Sequence, residues 1–97
     1  MALKPEALNK VIHEPGRLLI MTHLYVVTDA DFVYLKRATG MTAGNLSTHL
    51  TKLEGAGFVK ITKSFQGKKP KTTCKLTAKG RKAFEEYRKN ILEVLGR

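Results

Sequence analysis

Between Met41 and Ile61 the chain reads MTAGNLSTHLTKLEGAGFVKI. Leu46, Leu50 and Leu53 repeat at helical spacing and mark one face for burial. At about 100° per residue, Gly44, Thr48, Thr51, Lys52 and Gly55 then project outward, with Asn45 and Ser47 on the flanks. A surface helix with only a structural role favours Glu, Lys and Arg there, because these hold a helix better than Asn, Ser or Thr. Short hydrogen-bonding side chains instead make a slim polar face, the shape that a major groove about 12 Å wide admits. Gly44 permits close approach. Asn45 can pair in bidentate fashion with an adenine edge, and the hydroxyls of Ser47, Thr48 and Thr51 suit bases or phosphates. Thr42 and the free N–H groups of the first turn can hold a phosphate. Lys52, late in the helix, is placed for phosphate rather than base.

Charge is the second chemical feature. The 97 residues carry a formal net charge of +10. Self-repulsion on that scale opposes compactness and points to polyanionic partners, nucleic acid first and anionic membrane second. The charge is also one-sided. Nine basic residues fall between Lys60 and Lys82 without one Asp or Glu among them. Lys68, Lys69 and Lys71 lie at a turn within that window and are candidates for phosphate contact; Lys63 is a further candidate, grouped with the residues that follow. Lys75, Lys79, Arg81 and Lys82 are weaker candidates.

These side chains need a frame. A first helix is expected over 1–13, with Pro5 in its first turn, Leu8, Val11 and Ile12 along its stripe, and Leu3 and Ala7 close to it. Pro15 ends it and starts a second helix, apolar on most sides and so central, running to about Val27. Thr28 to Asp31 reads as a capping turn, with Thr28 or Asp29 as the cap. A short helix follows, burying Phe32 and Leu35 and stopping at Gly40. With Thr42 as the next cap, residues 31–55 make a helix-turn-helix. The period then changes to two. Val59, Ile61 and Phe65 share one strand face, Cys74 and Leu76 the inner face of a second, and Gln66 to Lys71 forms a turn too long for a tight two-residue tip. Residues 58–77 are thus a β-hairpin. Thr77 caps a last helix over 78–97, with Phe84, Tyr87, Ile91 and Leu95 as its stripe and Leu92 and Val94 beside it. The expected fold is mainly α with a two-stranded β-hairpin (α+β), a winged helix-turn-helix in the order α-α-α-α-β-β-α, forming one domain over 1–97.

With those pieces in order, the stretch GNLSTHLTKLEGAGFV resembles the recognition-helix segment of prokaryotic winged-helix transcriptional regulators, typified by the multiple-antibiotic-resistance and arsenic-repressor families. GKKPKTTCKLTAKGRKAFEEY is similar to their wing tip, second wing strand and the LT-x-x-G that opens the following helix. The resemblance covers roughly Arg17 to Tyr87. It implies double-stranded DNA as partner, a wing lying along the flanking backbone or in the minor groove, dimerisation through terminal helices, and repression as the commoner outcome. One departure matters: arsenic-type repressors cluster Cys and His ligands near the recognition helix, and this chain does not, so no metal or other cofactor is implied.

The remaining residues support other chemistry poorly. His13, His23 and His49 show no ligand spacing. His49, at the edge of the leucine stripe, reads as a packing residue rather than a base reader. Cys74, the single cysteine, reads as a small core hydrophobe and excludes an intrachain disulfide. No nucleophile motif or phosphate cradle appears, so the chain is not expected to be an enzyme. No apolar run approaches the ~20 residues of a membrane span, and no signal peptide is evident, so a cytoplasmic protein is expected. The terminal stripes (Leu3, Leu8, Val11 and Ile12 at one end; Phe84, Tyr87, Ile91, Leu92, Val94 and Leu95 at the other) are broader than one chain needs. They suggest a homodimer presenting two recognition helices about 34 Å apart to a pseudo-palindromic site. The alternative for these stripes is that they pack on each other within one chain. The alternative function is a winged-helix interaction module of the transcription or replication machinery, which would not require the acid-free lysine window. RNA binding is weaker still, since single strands call for exposed aromatics and only Tyr34 is an obvious spare.

Overall fold

The computed structural model describes residues 4–96. Helix α1 (Pro15–Val26) is started by Pro15 in its first turn and by Glu14, whose carboxylate accepts from the Arg17 N–H at 2.8 Å. Ile20, Met21 and Leu24 bury completely and make α1 the centre of the core. Helix α2 (Phe32–Thr39) and helix α3 (Ala43–Gly55) pack on it. Gly40 joins them in the left-handed conformation, φ 73°, where a side chain would be strained. Thr42 caps α3 by accepting from Asn45 N–H at 3.1 Å. Strands β2 (Val59–Gln66) and β3 (Lys69–Leu76) form the hairpin. Thr77 then caps α4 (Ala78–Leu95) by accepting from Gly80 N–H at 2.9 Å.

The expected winged helix is therefore present, with local corrections. The expected first helix over 1–13 does not form within the described residues: Pro5–Ala7 make one 3-10 turn. Asn9 diverts the chain there, because its side-chain oxygen accepts from the N–H groups of Val11 and Ile12. The cap of α2 is Asp31, accepting from Tyr34 N–H, rather than Thr28 or Asp29. Ala30–Asp31 also form a short strand, β1, paired antiparallel with Cys74 and Thr73. The sheet accordingly has three strands in the order β1-β3-β2 rather than two. The wing tip is tighter than its composition suggests. Gln66 pairs with Lys69, leaving only Gly67 and Lys68 in the turn, with Gly67 at φ 67°. A glycine with positive φ in the first turn position is the requirement of a II′ hairpin. Pro70 is tolerated in β3 because β1 pairs only with Thr73 and Cys74, so β3 has a free edge at that point.

The terminal stripes divide. Ile12, Phe84 and Tyr87 close into this chain's own core, and Leu8, Val11 and Ile91 pack half-buried against it. His13 Nδ1 lies 2.7 Å from the Tyr87 hydroxyl, and Asn90 donates to the Ala7 carbonyl. Leu92, Val94 and Leu95 stay 48, 53 and 71% exposed. Leu3 lies outside the described residues. Among the described residues no helix is long and apolar enough to cross a membrane.

Candidate nucleic-acid interface

Helix α3 places its leucines inward as the periodicity requires: Leu46, Leu50 and Leu53 are buried. Its opposite face is open. Thr42, Gly44, Asn45, Ser47, Thr48, Thr51 and Lys52 are all exposed, and no atom lies within 4 Å of where a Cβ on Gly44 would sit. Two of the hydroxyls are occupied. Thr48 donates to the Gly44 carbonyl at 3.0 Å and Thr51 to the Ser47 carbonyl at 2.9 Å. In that arrangement each threonine offers a partner its oxygen as an acceptor and its methyl, the group that contacts a thymine methyl.

The back of α3 is fixed by a polar cluster that sequence reasoning did not assemble. Arg17 Nη1 lies 3.3 Å from His49 Nδ1, and Arg17 Nε donates to the Val11 carbonyl. Glu14 Oε1 stands 3.6 Å from the same Nδ1. The hydrogen bond from Arg17 N–H, reinforced by the charges of His49 and Arg17, holds the Glu14 carboxyl below its ordinary value. His49 therefore faces α1, away from the open face of the helix. The run Glu14-Pro15-Gly16-Arg17, an acidic residue before a helix-starting proline, signals the start of α1 but not its meeting with His49.

The hairpin stands beside α3. Lys63 and Thr72, cross-strand partners, share a groove of about 270 Å³ with Ser47, Thr51 and Phe32. Lys68 occupies the tip, Lys69 is exposed beside it, and Lys71 is half-buried. None of these lysines has a carboxylate partner among the described residues, whose ion pairs are those of Glu14. Lys63 thus carries its charge into the groove beside the polar face of α3, while Lys69 and Lys71 line a second hollow with Asp31 and Phe32. Lys79 and Arg81 are differently placed, lying on α4 over the rings of Phe58 and Tyr25, at 5.9 and 4.9 Å from the centroids.

Cys74 is fully buried in β3, and burial pushes its thiol from 9.0 up to about 11. About one thiol in a thousand is ionised at pH 8 under those conditions. We expect a disulfide reagent such as dithiobis-nitrobenzoate to label the native protein at least about 100-fold more slowly than the guanidinium-unfolded chain; rapid native labelling would contradict the buried placement. The unfolded thiol ionises first, so this group leaves stability untouched below about pH 9 and removes it progressively as pH rises to about 11. No three His, Cys, Asp or Glu side chains converge on a metal-sized site among the described residues.

Comparison with known proteins agrees with this fold. A family model described as a winged helix DNA-binding domain matches residues 17–95. An uncharacterized protein of Methanocaldococcus jannaschii is 41% identical over 85 residues, spanning 88% of this chain and 92% of its own length. Among solved structures, the transcriptional regulator homologue of Pyrococcus horikoshii is similar with a TM-score of 0.84 at 28% identity, over 89% of this chain and 85% of that one. NadR, solved in complex with 4-hydroxyphenylacetate, is similar with a TM-score of 0.76 at 27% identity, over 94% of this chain and 64% of that one.

Proposed function

The chain belongs to the winged helix DNA-binding domain family, and from that premise we propose that it is a sequence-specific regulator of transcription, binding a pseudo-palindromic duplex site as a homodimer and acting chiefly as a repressor. The observation that carries this reading is the juxtaposition of two surfaces. The slim polar face of α3 and the lysine-bearing hairpin meet at the groove shared by Ser47, Thr51, Lys63 and Thr72. A duplex offers base edges to the first surface and phosphates to the second. Thr42, Gly44, Asn45, Ser47, Thr48 and Thr51 face the major groove in this reading. Lys52, Lys63, Lys68, Lys69 and Lys71 contact the backbone. Occupancy of promoter DNA is the mechanism: a dimer seated there obstructs polymerase.

Pairing of two copies is supported by Leu92, Val94 and Leu95, whose apolar surface at the end of α4 finds no cover in this chain. Ile12, Phe84 and Tyr87 support that helix from within. A two-fold dimer would set the two copies of α3 about 34 Å apart, one turn of DNA.

Selection from a random duplex library tests the reading. The expected product is a consensus of two inverted half-sites about one helical turn apart, and the absence of any consensus would overturn it. Within that consensus, the paired change Asn45→Ala and Thr48→Ala should remove roughly 1–3 kcal/mol of discrimination at the contacted bases. Affinity for unrelated duplex should change little. Equal losses on consensus and unrelated DNA would place these residues off the bases.

A further inference from the structure

The inner face of the hairpin does not end where the core ends. Along β2 the same face carries Val59, Ile61, Lys63 and Phe65 in turn, since side chains two apart share a side. Their surroundings change stepwise. Val59 is buried, Ile61 is half-buried, Lys63 lines the groove beside α3, and Phe65 is 75% exposed. Its cross-strand partner Pro70 is exposed as well. Alternation alone would place Phe65 in a core, but the wing carries it past the body of the protein.

A phenyl ring held in water by a rigid hairpin is unfavourable over its whole apolar area, and on a hairpin it invites association unless something covers it. Charge selects what covers it. Lys63, Lys68, Lys69 and Lys71 surround the ring in sequence, and the hairpin from Val59 to Leu76 contains no acidic residue. A second wing would bring like charge against like charge. The fitting partner is anionic and yet offers apolar surface at strand-tip depth. The minor groove does both, with phosphates along its walls and deoxyribose and base edges within.

We propose that Phe65, backed by Pro70, is an apolar wedge that enters the minor groove next to the major groove occupied by α3, packing on sugars and partly unstacking one base step. This rests on the reading of the protein as a duplex binder and adds to it a source of specificity without base hydrogen bonds. Flexible pyrimidine–purine steps unstack most readily, so a preference for TA or CA at the flank follows.

The test uses the full chain and a duplex carrying its selected consensus, with 2-aminopurine at the flanking step. For Phe65→Ala, affinity should fall at least about five-fold, in the range of lost aromatic–base contacts. The salt slope should stay unchanged, because no charge has been removed. The rise in 2-aminopurine fluorescence seen with the wild type should vanish, and Phe65→Leu should keep most of both effects. Affinity within two-fold of wild type overturns the wedge. So does a loss accompanied by an altered salt slope or by an altered solution mass, the latter meaning that a second copy covers the ring. If the wild type binds no duplex at all, the duplex reading falls and takes the wedge with it. If the wild type binds and lysine substitution weakens it while Phe65→Ala does not, the wedge alone is wrong.

Discussion

Gly80→Ala is expected to destabilise the protein by about 3 kcal/mol or more, enough to lower the thermal midpoint by roughly 15 °C in a chain of this size or to prevent folding. The cause is local and steric. A Cβ on Gly80 would stand 2.0 Å from the carbonyl oxygen of Phe58 and 2.7 Å from its carbon. Both are backbone atoms, so no side chain can swing aside. That carbonyl is also committed, accepting from the Thr77 N–H at 3.0 Å at the start of α4. Relief requires α4 to lift from the first residue of the wing, which would uncover Phe58, Phe84 and Leu76. Total stability for about 100 residues lies near 5–15 kcal/mol, so this one methyl consumes a large share. Gly44→Ala is the control. It lies in α3 with no atom within 4 Å of its Cβ position, and it should raise stability by roughly 0.5–1 kcal/mol through helix propensity. Circular dichroism melts of both variants decide the matter; a Gly80→Ala midpoint within a few degrees of wild type would refute the steric account.

The Gly80 contact explains why the LT-x-x-G motif is readable as a sequence signature. Thr77 caps the helix and Gly80 lets its first turn sit against the strand, two local demands three residues apart. The same locality made α3 legible: Gly40, Thr42 and the three leucines act through neighbours in sequence. Elements set by distant partners were not legible. β1 exists because Ala30 and Asp31 meet Cys74 and Thr73, more than 40 positions away. The first segment has a helical stripe, yet Asn9 turns it and α4 holds it through Asn90 and Tyr87. The wing defeats period-two reading for a different reason. Its ladder from Val59↔Leu76 to Gln66↔Lys69 is held by backbone pairing, so no face is buried near the tip, and Phe65 stands on a nominal inner face with no interior behind it. The candidate interface was legible because it belongs mostly to α3 and to a run of lysines. Its supports, Glu14 and Arg17, were not, because only the fold brings α1 to His49.

Lys68→Ala, Lys69→Ala and Lys71→Ala combined should lower duplex affinity roughly 100-fold at ~0.15 M salt. Each phosphate neutralised by a lysine releases counterions and steepens the dependence of log K on log salt by about 0.9. Referred to ~1 M salt, one such contact is then a factor of about five at ~0.15 M, and three contacts multiply to somewhat over a hundred. The slope itself should become shallower by about 2.7, and the deficit should shrink toward nothing as salt approaches ~1 M. Base preference should survive, because phosphate contacts set register and carry no sequence information. Folding should survive as well. Lys68 and Lys69 are exposed, and among the described residues none of the three lysines has a carboxylate partner to lose, so a change within about 0.5 kcal/mol is expected. Fluorescence anisotropy across a salt series, on consensus and scrambled duplexes, separates these terms. A weakened variant with an unchanged slope would mean that the lysines act by shaping the hairpin rather than by touching phosphate. An unweakened variant would take the wing off the DNA and leave α3 to bind alone.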